Sequence, residues 1–270
     1  MHYKLSQEEK KKYYEEGYLL LRNVIDSQHI NELMEFVAHV IELEGRDYIK
    51  DNHYSRDDIL NKLLIEIKRS NPSSGSWIYQ TILSSYKLKK FFIDIDVVPL
   101  VCDLLNIENT NNVGVVSPAF RFDIPGDSNN IRTWHQDGNY FLENKKGDSH
   151  LVVWIPTNKA TKENGSVIIA PKSHRNGKLE SNHEKSSEEF KSEQYTAPKE
   201  QFENYEHVYI EADVGDLAFI HMDLLHSSGI NKTQDEVRYT AQIRMNTIND
   251  DAYRPVQLSP HYPEYKRSLK

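Results

Sequence analysis

Cysteine is almost missing from this chain: among 270 residues there is one, Cys102. A single thiol excludes an intrachain disulfide and fits a reducing cytoplasm. Long apolar runs are missing too. Nothing approaches 18 consecutive apolar residues, so no membrane span is expected. The opening MHYKLSQEEKKKYYEEGYLLL lacks the apolar stretch and small-residue cleavage site of a secretory signal. Positive charge is also short, with 33 Lys plus Arg against 41 Asp plus Glu and a net charge of −8. A nucleic-acid binder needs a basic face to neutralise phosphates, and this balance argues against one. The densest basic run, Lys87-Leu88-Lys89-Lys90, reads as a solvated helix face. Internal repeats and linker-like composition are absent, so residues 1–270 are expected to form a single domain.

The part up to about residue 110 has helical texture. Ile30, Leu33, Phe36, Val37, Val40 and Ile41 recur at helical spacing, with Ser27 as expected N-cap and Gly45 as expected stop. A second helix fits Asp57 to Arg69, with Leu60, Leu63, Leu64 and Ile67 as its apolar stripe. A third is expected after the Ser/Gly cluster at Ser73 to Ser76, and a short fourth near Val97 to Leu105. GYLLLRNVI is short and continuously apolar, a strand candidate. From Val113 the texture changes to short β-favouring runs: VGVVSPAF, LVVWIP, SVIIAP, HVYIEA, DLAFIH and VRYTAQIRM. Six short strands in residues 111–250 suggest a closed sandwich or barrel. Residues 172–206 are too polar for a core and are expected to form a lid or surface loop.

The chemistry concentrates in TWHQDGNYF, Thr133 to Phe141. His135 and Asp137 stand at i and i+2, and on a strand such residues share a face and can reach one ion. Spacing alone decides nothing, because His221-Met222-Asp223 repeats it. The third ligand separates the two pairs. For His221 the downstream histidines are His226, five residues on in the same segment, and His261 in a Pro/Tyr-rich tail. For His135 there is His226, 91 residues later, at the end of a strand and the start of a tight turn. Two barrel strands meeting at an open mouth would give that layout. Two histidines and one carboxylate cover one face of an octahedral iron and leave three positions open; a zinc hydrolase could use the same donors. Arg238 follows His226 by 12 residues, at the start of VRYTAQIRM. On that strand Arg238, Thr240, Gln242 and Arg244 share one face, and Tyr239, Ala241, Ile243 and Met245 the other. A guanidinium fork there suits the carboxylate of an anionic co-substrate. A surface salt bridge with Asp235 or Glu236 is the plainer use of the same residue.

TWHQDGNYF, LVVWIPTNKATKENGSVIIAPKSH and GDLAFIHMDLLHSSGINKTQDEVRYTAQIR, in this order, resemble the three blocks of the phytanoyl-CoA dioxygenase family. These are Fe(II)- and 2-oxoglutarate-dependent oxygenases. The resemblance runs from GYLLLRNVI to about Arg244 and implies a mainly β protein, a double-stranded β-helix (jelly roll, cupin-like) with N-terminal helices packed on it. It implies His135, Asp137 and His226 as iron ligands and Arg238 as the arginine for the far carboxylate of 2-oxoglutarate. Ser228 matches a hydroxyl that assists this arginine. Trp154 falls where the family often sets an aromatic against the co-substrate, although a core tryptophan explains it almost as well. Asn164-Gly165 matches a structural turn. One departure is visible: the usual Pro-Gly-Ser-His is here Pro171-Lys172-Ser173-His174, which should alter that turn and leaves His174 a structural or mouth residue. Gln136 should point away from the metal.

The implied co-reactants are Fe(II), 2-oxoglutarate and O2, and the implied reaction is hydroxylation of a small molecule with succinate and CO2 released. Related halogenases lack the carboxylate ligand; Asp137 favours hydroxylation. Substrate contacts are expected from Arg121, Phe122, Arg132, Asn139, Tyr140 and the 172–206 loop. The acidic chain disfavours a CoA ester and suggests a small polar metabolite or biosynthetic intermediate. Two rivals stand beside this reading. One is a cupin-like isomerase or zinc hydrolase, with no need of Arg238; the other is a non-enzymatic jelly-roll module that binds a sugar.

Overall fold

The computed structural model describes residues 3–49, 53–127, 131–140, 147–185 and 193–249. Helix α1 (Gln7–Glu16) leads into strand β1 (Tyr18–Leu21), and α2 (Ser27–Glu44) follows. The α2 cap lies one residue earlier than expected: the Asp26 carboxylate accepts from the Gln28 N–H at 2.9 Å, and Ser27 is already helical. Gly45 ends the helix, its N–H donating to the Ile41 carbonyl.

The expected helix from Asp57 to Arg69 is interrupted. A short α3 (Arg56–Asp58) runs into a π-helical turn (Ile59–Leu63) before α4 (Leu64–Ser70). The wide turn serves the sheet. Asn61 Oδ1 accepts from the Val237 N–H at 2.8 Å, and the Tyr239 hydroxyl donates to the Leu60 carbonyl. Single π turns inside α-helices tend to mark functional positions, and this one grips the residues on both sides of Arg238. Helix α5 (Pro72–Ser84) contains the Ser/Gly cluster instead of following it. Pro72 occupies the first turn, where its missing N–H costs nothing, and Asn71 caps the Ser73 N–H at 3.2 Å. Helices α6 (Tyr86–Asp94) and α7 (Val98–Leu105) complete the helical part.

The remaining strands are β2 (Val113–Asp123), β3 (His150–Pro156), β4 (Val167–Ile169), β5 (Asn182–Lys185), β6 (Glu193–Thr196), β7 (Val208–Tyr209), β8 (Leu217–His221), β9 (His226–Ser228) and β10 (Arg238–Thr247). They pair antiparallel into a five-stranded sheet, β1-β8-β3-β10-β2, and a three-stranded sheet, β7-β4-β9, with β5 and β6 as a separate hairpin. The period of two sorts the large sheet. Leu19 and Leu21, Leu217 and Phe219, Leu151, Val153 and Ile155, and Tyr239, Ala241, Ile243 and Met245 pack outward into one core with the helices. Val152, Trp154, Ala218 and Ile220 point the other way and meet Ile169, Ile210 and Ala212 from the small-sheet side. Two sheets closing on a shared interior make the jelly roll expected from the short strand runs. At the β10–β2 end that interior turns polar, and there the site lies.

The 172–206 stretch holds the 3-10 turn Ser173–Asn176 and the β5–β6 hairpin; residues 186–192 of the expected lid or loop lie outside the described residues. Lys172 occupies the position of the missing glycine with φ 71°, in the left-handed region that glycine favours. A non-glycine residue in that left-handed region costs about 1–2 kcal/mol. Contacts with α1 hold it there: the Lys172 N–H donates to the Glu16 carbonyl at 2.9 Å, and its ammonium lies 3.3 Å from the Glu16 carboxylate.

Candidate metal centre

His135 and His226 face each other across an isolated β-bridge, His135 N–H to His226 carbonyl at 2.9 Å and the reverse at 3.0 Å. Their ring centroids are 4.2 Å apart. Asp137 does not share a strand face with His135, as the i, i+2 argument supposed. The chain leaves the bridge at Gln136, and Asp137 opens a 3-10 turn (Asp137–Asn139) that swings its carboxylate under the imidazoles. Gly138 makes the turn possible: its N–H donates to the Met222 carbonyl, and a Cβ there would stand 2.8 Å from Asp223 Oδ1. Gln136, 1 % exposed, points away as expected, donating to the Gly177 and Asp223 carbonyls and accepting from the Leu179 N–H.

Asp137 Oδ1 lies 3.5 Å from His135 Nε2 and 3.8 Å from His226 Nε2. The donor atoms of the three residues all lie within 4.8 Å of one another. Each histidine spends its Nδ1 on a backbone carbonyl, Thr133 at 2.6 Å and Leu224 at 2.9 Å. A carbonyl can only accept, so Nδ1 carries the proton and Nε2 presents a lone pair, the arrangement usual for metal-binding histidines. Burial first, then the neighbouring His135, pulls the His226 pKa from 6.5 down to about 4, which keeps the ring neutral. Burial alone would raise the Asp137 pKa. Arg244, with the two histidines after it, reverses this and holds the carboxyl far below its ordinary range. Arg244 places Nε 2.9 Å and Nη2 2.8 Å from Asp137 Oδ2, which leaves Oδ1 for the histidine side. Two neutral imidazoles and an ionised carboxylate fit a divalent iron ion. The decoy pair is used elsewhere: His221 Nε2 meets Asp148 at 3.1 Å, and its Nδ1 accepts from the Asp223 N–H.

The triad opens onto a cavity of about 1030 Å³ that also receives Arg121, Arg132, Tyr140, Trp154 and Ser228. Arg238 lies in the same cavity, 2 % exposed, and does not make the surface salt bridge with Asp235 or Glu236. It stands directly across from Asp123 on β2, with Nη2 2.6 Å from Asp123 Oδ2 and Nη1 2.6 Å from the Thr240 hydroxyl. Its buried Nε has no hydrogen-bond partner among the described residues. Arg121 holds the other Asp123 oxygen at 3.1 Å, so two guanidinium groups share one carboxylate. Trp154 is both core and wall, 2 % exposed and paired in register with Gln242. The Ser228 hydroxyl accepts from the Arg132 N–H at 3.1 Å. Asn139 is buried in its 3-10 turn and is not among the residues lining the cavity, while Phe122 lines it. His174 Nε2 donates to the Tyr14 carbonyl, 3.0 Å away, as a structural residue.

The profile of the family described as phytanoyl-CoA dioxygenase matches residues 13–239. The chain belongs to the phytanoyl-CoA dioxygenase family. A probable phytanoyl-CoA dioxygenase of Caenorhabditis elegans is 23 % identical over 264 residues, covering 94 % of this chain and 78 % of that protein. The human peroxisomal phytanoyl-CoA dioxygenase is 22 % identical over 236 residues, covering 85 % of this chain and 65 % of its own length. Among solved structures, the non-heme α-ketoglutarate-dependent carbocyclase SnoK of nogalamycin biosynthesis superposes with a TM-score of 0.58 at 16 % identity, over 90 % of this chain and 84 % of SnoK. EctD from S. alaskensis, solved with 2-oxoglutarate and 5-hydroxyectoine, gives 0.58 at 14 % identity, over 90 % and 77 %. Both share the fold. The family is one of Fe(II)- and 2-oxoglutarate-dependent oxygenases, and the triad supplies the donors this cofactor set needs. Membership sets aside the isomerase, zinc hydrolase and sugar-module readings.

Asp123 and the contact between Arg244 and Asp137 escape the sequence reading. Only the pairing register puts Asp123 opposite Arg238. The one available hint for Arg244 was its place on the same strand face as Arg238.

Proposed function

We propose that the protein hydroxylates a small-molecule substrate, with His135, Asp137 and His226 holding Fe(II) and Arg238 holding the far carboxylate of 2-oxoglutarate. The observation that carries this is the meeting of the triad and a buried arginine, with an unused Nε, in one cavity. When bound, iron and 2-oxoglutarate supply the oxidising power, releasing succinate and CO2. The protein orients and shields. The hydrogen bonds of Thr133 and Leu224 fix both imidazole rings. Arg244 fixes the carboxylate. Asp123, shared between Arg121 and Arg238, cancels one of two positive charges and leaves the other for a dicarboxylate. Trp154 and Gln242, opposite each other on β3 and β10, both line the cavity. Asp137 favours hydroxylation over halogenation, since a halide would need its place on the metal.

Succinate formation from 2-oxoglutarate tests the reading. Asp137→Ala and His226→Ala should each abolish it, and wild-type turnover in either variant would overturn the assignment. Arg238→Gln should instead raise the KM for 2-oxoglutarate at least 10-fold while iron still binds.

A further inference from the structure

The cavity has a charge that the chain as a whole does not. The protein carries −8, yet six basic side chains, Lys68, Arg69, Arg121, Arg132, Arg238 and Arg244, line the cavity with two carboxylates, Asp127 and Asp137, while a third, Asp123, pairs with Arg121 and Arg238 from outside the lining. Those carboxylates are matched. Asp127 pairs with Lys68 at 2.5 Å, Asp123 with Arg121 and Arg238, and Asp137 with Arg244. A divalent ion and a doubly negative co-substrate would cancel each other and leave basic groups in excess among the described residues of the cavity. Burying cations without counter-ions is costly, so the excess calls for an anion.

Arg132 is the residue placed to take it. Its backbone is pinned on the strand of the distal histidine: its N–H donates to the Ser228 hydroxyl at 3.1 Å, and its carbonyl accepts from the Ser228 N–H at 2.9 Å. The side chain is part-buried and lines both the central cavity and a neighbouring one of about 580 Å³. Among the described residues its guanidinium has no hydrogen bond or ion pair. Tyr140 lines the central cavity too, its ring edge-on to His135 at 5.4 Å. Its hydroxyl oxygen accepts from the Tyr195 N–H at 3.1 Å, which leaves the phenol proton free to be donated. A guanidinium fork and a donating phenol lining one cavity suit the recognition of an oxyanion.

We propose that Arg132 and the Tyr140 hydroxyl form an oxyanion subsite on the cavity wall, and that the substrate oxidised here carries a carboxylate or phosphate bound there. The subsite stands on the geometry of Arg132; its role in substrate binding rests on the oxygenase reading. With the negative end held on this wall, the rest of the substrate reaches the open face of the metal site.

Paramagnetic relaxation by Mn(II) in place of iron tests the proposal, with the protein saturated in 2-oxoglutarate. The probes are inorganic phosphate, acetate and neutral acetamide, the first two telling which oxyanion the subsite prefers. Phosphate or acetate should relax at least 10-fold faster than with the Arg132→Gln protein, Arg132→Lys should fall between, and acetamide should show no difference. The affinity for 2-oxoglutarate should stay within 2-fold in both variants, which separates this role from that of Arg238. Equal relaxation of phosphate and acetate in wild type and Arg132→Gln, or acetamide matching acetate, would overturn it. Failure of 2-oxoglutarate to bind at the metal would sink the oxygenase reading, while an Arg132-dependent phosphate effect would still establish the subsite.

Discussion

Asp137 divides its two oxygens between different tasks. Oδ2 belongs to Arg244, and Oδ1 faces the two histidine Nε2 atoms. This division sets the direction of the ligand lone pairs before any ion arrives, which is how outer contacts raise metal affinity. Arg244→Gln removes the charge and both contacts to Oδ2. Affinity for Mn(II), measured by titration calorimetry, is expected to fall by about 10–100-fold. Unchanged affinity would show that the turn around Gly138 orients the carboxylate unaided. The triad was legible in the sequence because His226 gave the His135-Asp137 pair a third donor from a distant segment, which the His221-Asp223 pair lacked. The partners of those residues were not. Thr133 and Leu224 act through backbone carbonyls, which carry no residue signal at all, and Asp123 looks like any polar strand end until β2 and β10 are in register.

At the scale of elements, period two and short length made the strands legible. LVVWIP, DLAFIH and VRYTAQIRM became β3, β8 and β10, and the polar face of β10 is the one that faces the cavity. The helices were read less well, for identifiable reasons. Helix α1 buries only Tyr13 and so has almost no apolar stripe to betray it. A π turn is invisible to a search at 3.6 residues per turn, and the bond it makes from Asn61 to the Val237 N–H spans 176 residues. Ser73 to Ser76 looked like a break and is a first turn, since Pro72 and Asn71 outweigh the poor propensity of serine and glycine. Gly75 is also used: a Cβ there would press to 2.6 Å from Lys68 Cγ, on the side chain that reaches Asp127. Lys172 gives the opposite lesson, a left-handed turn position held by a residue other than glycine. Lys172→Gly should relieve the left-handed strain at the loss of a partly exposed ion pair worth at most about 1 kcal/mol. A rise in Tm of about 1–3 °C is expected by calorimetry, and a fall would mean that the contact with Glu16 outweighs the strain.

For the whole molecule, the sign of charge reverses between exterior and cavity. Acidic residues prevail over the chain, while the interior end of the jelly roll gathers arginines from β2, β10 and the segment before the first histidine. Such a cavity attracts small anions and concentrates them near the metal. Helices α4 and α5 close one side of it with Lys68, Arg69 and Tyr79, so the helical part shapes the site as well as covering the sheet. Among the described residues no helix is long and apolar enough to cross a membrane. The account depends first on iron and 2-oxoglutarate meeting at one place. Anaerobic addition of 2-oxoglutarate to the Fe(II)-loaded protein measures this through the visible metal-to-ligand absorption band. The band should appear at one equivalent in the wild type, need a higher 2-oxoglutarate concentration in Arg238→Gln, and be absent in His226→Ala. A band of full intensity in His226→Ala, or none in the iron-loaded wild type, would contradict it.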